Sequence, residues 1–516
     1  MANADFTLEI ITRDDNEEGW LGPLIHDRTT AIMELLDVFP IHESQLLFRL
    51  PVISPLFKRK TRVFPALATS DPDFKRWHGR LANDAATVSQ WRALGLDRFI
   101  SLCLEPPKPD PELFKAAICF WSTESNCFVL PLGSMTITLL DIAALTGISK
   151  PRVQSRRALD PATSIAFDRS YESLYNNNAP VIPGEPVSDS ERVAFLHYWF
   201  GRFVLCTQRP IPDAHTSSAI FTGECVNLDE IVLCHLYRGL YTIANRVKEA
   251  PEACGILSAG HLWLLQLWLH AYFLATRGPL PALQTAVQDT TMLTYGHYLA
   301  KAALRKGTFT NYFTFFYEVR EIPSFTPFAE RKFGPASFKL VFDKPPPRGD
   351  LVAAAYHEFT EERKRYLTAR DLLFAPTGSE VLSIETYNPQ LAARQFNLVQ
   401  SWPMLPPLSL NFPQFHIRSS ELTAGQIMEV RGYQESAQYF PPYKNVVNKV
   451  SPQFKDAWNS LASRIFSKSL SDILARLAPD HDGGSTTSAF NTHLKRRAGM
   501  ILVLALLFML AVTFIF

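Results

Sequence analysis

The passage CFVLPLGSMTITLLDIAALTGI, residues 127–148, leaves its backbone few choices. Phe128 to Leu130 and Met135 to Thr138 are short β-prone runs separated by Pro131–Ser134, with Gly133 in the turn, which predicts a small hairpin. Thr138 can then accept a backbone N–H from the first turn of a helix, and Asp141 three residues later completes a reciprocal capping box. The helix so started, Leu139–Thr146, stops at Gly147, where the missing Cβ permits a left-handed C-cap. A hairpin that runs straight into a capped helix must bury both elements against something else, because neither encloses a core alone.

The rest of the chain supplies helices to enclose it. Apolar residues recur at helical spacing in RWHGRLANDAATVSQWRALGLDRFISL (76–102), ELFKAAICFWS (112–122), SERVAFLHYWFGRFVLC (190–206) and LDEIVLCHLYRGLYTIANRV (228–247). HLWLLQLWLHAYFLA (261–275) is apolar on nearly every face, yet it is too short to span a bilayer and carries His261, Gln266 and His270; it reads as a buried core helix. Residues 154–187 read as a polar loop, 310–345 as short strands mixed with loops, 351–374 as an amphipathic helix, and 451–477 as helical again. With 37 Phe and 9 Trp among 516 residues the core should be large and aromatic. The expected fold class is mainly α, a helical domain with a small β-hairpin insertion and a C-terminal single transmembrane helix. Its expected divisions are 1–57 (N-terminal segment), 58–477 (the folded domain), 478–497 (polar and basic linker) and 498–516 (membrane tail).

The tail expectation rests on Ala498 to Phe516, which holds no charge and no proline. Nineteen helical residues at about 1.5 Å each span roughly 28 Å, close to a thin bilayer. Lys495, Arg496 and Arg497 stand just before it, so the positive-inside rule keeps the bulk of the chain in the cytosol, at the endoplasmic reticulum or nuclear envelope. The first twenty residues are acidic and predict no signal peptide. Seven cysteines without a Cys-x-x-Cys pair read as reduced thiols. Lys58, Arg59, Lys60 and Arg62 form a basic cluster, read as a solvated loop with nuclear import as the sharper alternative.

Several chemistries are excluded by what the chain lacks. Lys115, Lys301 and Lys306 lie near apolar stretches, but none follows a small-residue loop suited to a pyridoxal cofactor. There is no Gly-x-x-x-x-Gly-Lys loop and no Gly-x-Gly-x-x-Gly turn. His357-Glu358 has no second histidine at zincin spacing, and no Asp-Thr/Ser-Gly of an aspartic protease appears. With 51 basic against 50 acidic residues, no global charge pulls the chain to nucleic acid. TLLDIAALTGISKPRVQSR (138–156) nonetheless reads like a helix-turn-helix, with Gly147 in the turn, Val153 packing and Arg152, Arg156 and Arg157 near phosphates. DNA binding through 138–157 is therefore the alternative function.

The passage FWSTESNCFVLPLGSMTITLLDIAALTGI resembles the defining motif of the plant mobile domain family, formerly labelled aminotransferase-like. The matching positions are Phe120, Trp121, Phe128, Pro131, Gly133, Met135, Thr136, Thr138, Leu139, Asp141, Ile142, Ala143, Leu145, Gly147 and Ile148. Residues 194–206, 228–243 and 260–273 resemble the family's successive helical blocks, so the likeness covers roughly 60–470. It implies a non-enzymatic interaction scaffold without cofactor or metal, linked to meristem maintenance, genome stability and transposon silencing in the nucleus, with a protein partner of the phosphatase class. No catalytic residue follows from it. Trp121, Phe128, Pro131, Gly133, Thr136, Thr138, Asp141 and Gly147 are expected to act as structural residues.

Overall fold

The computed structural model describes residues 46–49, 71–123, 125–148, 165–168, 174–179, 185–205, 214–223, 227–249, 261–283, 286, 293–303, 305, 307–330, 333, 365–367, 370–374, 383–398, 400, 450 and 452–477. Asp71, Asp84 and Asp110 each stand in extended backbone and accept an N–H from the turn that follows. These side chains satisfy donors that a helix start leaves orphaned. They open α1 (Pro72–Leu81), α2 (Ala85–Leu94) and α4 (Pro111–Ile118), with α3 (Asp97–Leu102) between the last two. The helical stretch expected from 76 to 102 is thus three helices. It is broken where Asp84 restarts the chain and where Gly95 turns left-handed at φ 71°.

Next comes a three-stranded antiparallel sheet, β1 (Trp121–Ser122), β2 (Cys127–Leu130) and β3 (Gly133–Met135), in the order β1-β2-β3. Trp121 lies opposite Phe128, and Phe128 opposite Met135. The expected hairpin forms as β2–β3 but is shifted: the turn is Pro131–Leu132, and Gly133 and Ser134 belong to β3 instead of the turn. Residues 136–138 are not strand, and β1 extends the sheet by one strand. Every residue of the three strands is buried, so this sheet is an internal knot and not a surface ribbon. It leads into α5 (Leu139–Thr146), all eight of whose residues are buried as well.

The elements that follow are α6 (Leu174–Asn178), α7 (Asp189–Trp199) with a π-helical turn at Phe200–Val204, α8 (Ala214–Thr222), α9 (Leu228–Glu249) and α10 (Leu262–Tyr272). Then come α11 (Tyr295–Ala300), α12 (Phe309–Glu318), a two-stranded ribbon β4 (Arg370–Phe374) and β5 (Ser383–Tyr387), a 3-10 segment Pro389–Phe396, α13 (Pro452–Ile465) and α14 (Leu470–Leu477). Helix α5 is enclosed by α3, α9, α10 and α11, which is why it has no wet face. Helix α10 is buried apart from Ala271, as its all-round apolar sequence requires.

Three expectations need correction. Residues 309–318 form α12, not strands; the aromatic run suggests β-structure by propensity, but Thr308 and Asn311 make a capping box and Phe309, Phe313 and Phe316 pack at helical spacing. Residues 370–374, expected at the end of a helix, form β4 and pair with β5 in register, Leu372 opposite Glu385; only 365–367 of the expected helix is helical among the described residues. The fold class is corrected as well: the described residues are mainly helical with small sheets and include no transmembrane helix. No helix among the described residues is long and apolar enough to cross a membrane. The longest, α9 with 22 residues, carries Asp229, Glu230 and Arg238, and α10 has only 11 residues. The stretch 498–516 and its flanking Lys495, Arg496 and Arg497 lie outside the described residues, as do the basic cluster at 58–62 and Arg152, Arg156 and Arg157.

Candidate functional site

The polar residues of the 120–148 passage converge on one buried cluster. Thr138 begins α5 with φ −109° and ψ 165° and accepts the Asp141 N–H. Asp141 Oδ2 accepts the Thr138 N–H at 2.7 Å and the Thr138 hydroxyl at 2.8 Å, so the expected capping box is complete. The second carboxylate oxygen, Oδ1, accepts the Tyr272 hydroxyl of α10 at 2.8 Å. Thr136, in the extended link between β3 and α5, donates its hydroxyl to Asn126 O at 2.6 Å. The Tyr237 hydroxyl of α9 lies 2.8 Å from Thr136 Oγ1 and donates to Ile137 O at 2.6 Å.

Gln395, from the 389–396 segment, closes the cluster. Its Oε1 accepts the Thr136 N–H at 3.0 Å, and its Nε2 donates to Thr136 O at 2.9 Å and to the Tyr272 hydroxyl at 3.1 Å. Side-chain amides that pair with both groups of one peptide extend a sheet edge as a strand would, and here they stop β3 from ending in unsatisfied backbone. One amide thus joins residues more than 250 positions away to the start of α5.

The remaining motif residues serve the same frame. Trp121 packs edge-on to Phe128 with ring centroids 4.9 Å apart, and Phe128 stacks on Trp268 at 5.4 Å. Pro131 O accepts the Trp458 indole N–H at 3.3 Å, which docks α13. Gly133, at φ 126°, lies so close to the Arg394 guanidinium that a Cβ there would stand 2.1 Å from Nη2. That guanidinium donates to Leu132 O at 2.8 Å and sits 4.0 Å over the Phe325 ring. Gly147, at φ 80°, ends α5 as expected, and its own N–H reaches Ala143 O. The structure therefore brings all eight motif residues onto one core; the three membrane-flanking cations lie outside the described residues.

Burial sets the electrostatics. It pushes the Asp141 carboxyl up to about 6, against the hydrogen bonds from Thr138, Tyr272 and Trp268. It pushes His235 and His270 down to about 3, and His261 and His297 down to about 4, so these imidazoles are neutral at pH 7. The Cys119, Cys127 and Cys234 thiols are raised by the same cause, Cys127 to about 12, and like Cys103 they are buried. A thiol held in that range is a packing group, not a nucleophile. Among the described residues no group of three or more His, Cys, Asp or Glu side chains is placed to hold a metal ion.

Sequence reasoning did not find Gln395, Tyr237, Tyr272, Arg394 or Trp458, since each meets the motif across a hundred or more residues. Tyr272 carried a local signal, since a hydroxyl in a largely apolar helix needs a buried partner.

The sequence model of the plant mobile domain matches residues 97–459. The chain belongs to the plant mobile domain family. Comparison with curated proteins and with solved structures finds no match. The family match opens at α3 and closes inside α13, so the whole motif core falls within the plant mobile domain, while α1, α2 and α14 pack onto it from outside the matched span. Of the lysines that lie near apolar stretches, Lys115 is paired to Glu112 at 2.8 Å and Lys301 to Glu105 at 2.9 Å, and Lys306 lies outside the described residues. The helix-turn-helix reading takes α5 as its first helix, and that helix is enclosed on all sides; the second half of the reading, 149–157, lies outside the described residues.

Proposed function

We propose that this plant mobile domain protein is a non-enzymatic interaction scaffold. The observation that carries the reading is the use of the motif's polar atoms: Thr136, Thr138 and Asp141, with Gln395, Tyr237 and Tyr272, spend their hydrogen bonds on one another and on backbone inside the core. Residues so employed define a shape and leave no reactive group to a substrate. The family resemblance adds a nuclear address, a role in meristem maintenance, genome stability and transposon silencing, and a phosphatase as the partner class.

The test is affinity purification of the full chain from plant cells, with and without nuclease, followed by mass spectrometry. A stoichiometric protein partner retained after nuclease treatment, with a phosphatase among those recovered, is the expected result. Recovery that vanishes with nuclease, together with a steep salt slope for DNA retention, favours the DNA-binding reading through 138–157.

A further inference from the structure

One hydroxyl outside the motif is set up differently from those inside it. Thr294 opens α11 by accepting the His297 N–H, and its own hydroxyl donates to Leu145 O at 2.8 Å. That hydroxyl has one proton and Leu145 O holds it, so towards the His297 ring it can only accept. His297 Nδ1, 2.8 Å from Thr294 Oγ1, therefore carries the ring proton. Nε2 is left as the acceptor, and it faces Ser101 Oγ on α3 at 3.3 Å. Every proton in the row points the same way, from Ser101 to His297, from His297 to Thr294 and from Thr294 to Leu145.

The outer end of the row lies towards solvent. Ser101 and His297 are both half-buried, whereas the motif's Thr136, Thr138 and Asp141 are enclosed. Beside them Lys301, just past α11, binds Glu105, just past α3, through side chains that are 44% and 74% exposed. Burial first, then the charge of Lys301, lowers the His297 imidazole to about 4; Arg98 adds to this and Glu105 opposes it. Arg98 precedes Ser101 by three residues, on the same face of α3. A hydroxyl, a neutral base within reach of its proton, and a third group that fixes the tautomer of the base form the arrangement that activates a serine. Such a bond is often this long before a substrate tightens it.

We propose that Ser101 is an acyl-acceptor site, a nucleophile that takes one acyl group from a thioester with His297 as its base and Thr294 as the positioning residue. The bond between Ser101 Oγ and the acyl carbon forms and the carbon–sulfur bond breaks. His297 Nε2 takes the serine proton and passes it to the departing thiolate. Arg98 and Lys301 supply positive potential for the oxyanion formed in between. A thioester is the donor that fits a base this weak, because a thiol ionises at about 8.5 and its thiolate leaves without an acid's help. The product is an oxygen ester, less reactive than the thioester it came from, so the acyl group stays. Ser101 is consumed and not regenerated, which makes this a modification of the chain, independent of the scaffold reading.

The test uses the full chain and two probes. With a fluorophosphonate, Ser101 Oγ displaces fluoride from phosphorus, and peptide mass spectrometry locates the adduct. One adduct per chain on Ser101 is expected, at a rate that stays level between pH 6 and 8 because a neutral base supplies the activation. Labelling that climbs with hydroxide over that range, or that spreads over other serines, overturns the proposal on the unaltered chain alone. Ser101→Ala should remove the adduct and His297→Gln should slow it about a hundredfold. Thr294→Val should slow it as well and Thr294→Ser restore it, with melting temperatures separating lost activation from lost fold. A short-chain acyl thioester should then add one acyl group to the same oxygen and release one thiol. No acylation, or thiol release that continues past one per chain, overturns the acceptor assignment.

Discussion

The motif core and the seam between α1 and α7 hold helices together by different physics. In the core, Asp141 is enclosed and its partners are neutral: a peptide N–H, two hydroxyls and an amide. In the seam, Arg80 binds Glu191 from Nε at 2.8 Å and from Nη2 at 3.1 Å, and Arg192 binds Asp84 and Asp189 at 2.8 Å each. The core arrangement depends on geometry and on the absence of water, so pH and steric change should damage it most. Glu191 is only 2% exposed, but around Arg192 the seam depends on charge near solvent, where salt and truncation should register weakly.

The sharpest separation should come from acid. His235, His261, His270 and His297 lie on or beside the helices that enclose α5, and all four have folded-state values of about 3 to 4. In the unfolded chain they titrate near 6.5, so stability present above that pH is lost as it falls. Asp141 works in the opposite sense. Its folded value of about 6 lies above the unfolded one, so its contribution is full at low pH and is lost as pH rises from about 4 to 6. Near pH 5 the balance is about three protons taken up on unfolding, or about 4 kcal/mol per pH unit. The melting temperature should therefore fall steeply between pH 6.5 and 5, and more steeply in Asp141→Asn. A flat profile over that range would show that the fold does not hold the four imidazoles neutral.

Gly147→Val tests the core by shape alone. The valine would have to take φ 80°, and its Cβ would stand 2.8 Å from Arg98 Cδ and 2.9 Å from Thr294 Cγ2. Left-handed strain and overpacking together should cost roughly 2–5 kcal/mol. A urea midpoint equal to that of the native chain would mean that the end of α5 can relax freely. Gln395→Leu should follow at roughly 2–4 kcal/mol, because it strands the Thr136 N–H, the Thr136 carbonyl and one bond of Tyr272 in a dry core. If that loss is the same in 1 M NaCl, the neutral character of the core is supported; a loss that salt erases would contradict it.

What the sequence revealed divides along the same line. Thr138, Asp141 and Gly147 were legible because a cap and its stop are written within ten residues and obey backbone sterics alone. The β2–β3 hairpin was legible from Gly133, although the reason a side chain is not tolerated there, the Arg394 guanidinium, was not. Gln395 carried no local sign, since an amide's partner is chosen by tertiary approach. The strands β4 and β5 were hidden by an amphipathic stretch whose final residues answer to the Cys234 face of α9, where Cys234 Sγ lies 3.6 Å from Leu372 O. Asp84 and Gly95 did announce the breaks in 76–102; an apolar period that continues across them outweighed the punctuation.

The smallest expected effect lies in the seam, and it defines the comparison from the other side. Arg192 makes three contacts, donating to Thr87 Oγ1 at 2.9 Å, to Asp84 and to Asp189. Its own side chain is 17% exposed, but Asp84 is 27% and Asp189 63% exposed, so water can replace the guanidinium at both carboxylates. Asp84 also keeps its main occupation without Arg192. The Thr87 hydroxyl, and then the Thr87 N–H, are the largest causes that hold its carboxyl below the usual range, ahead of Arg192. The cap on α2 therefore survives, and Arg192→Ala should cost only about 0.5–1 kcal/mol at low salt. In 1 M NaCl the Debye length shrinks to about 3 Å and the difference should fall towards zero. A loss above about 2 kcal/mol that persists in high salt would place Arg192 with the core, and the division between a geometric interior and an electrostatic rim would fail at that residue.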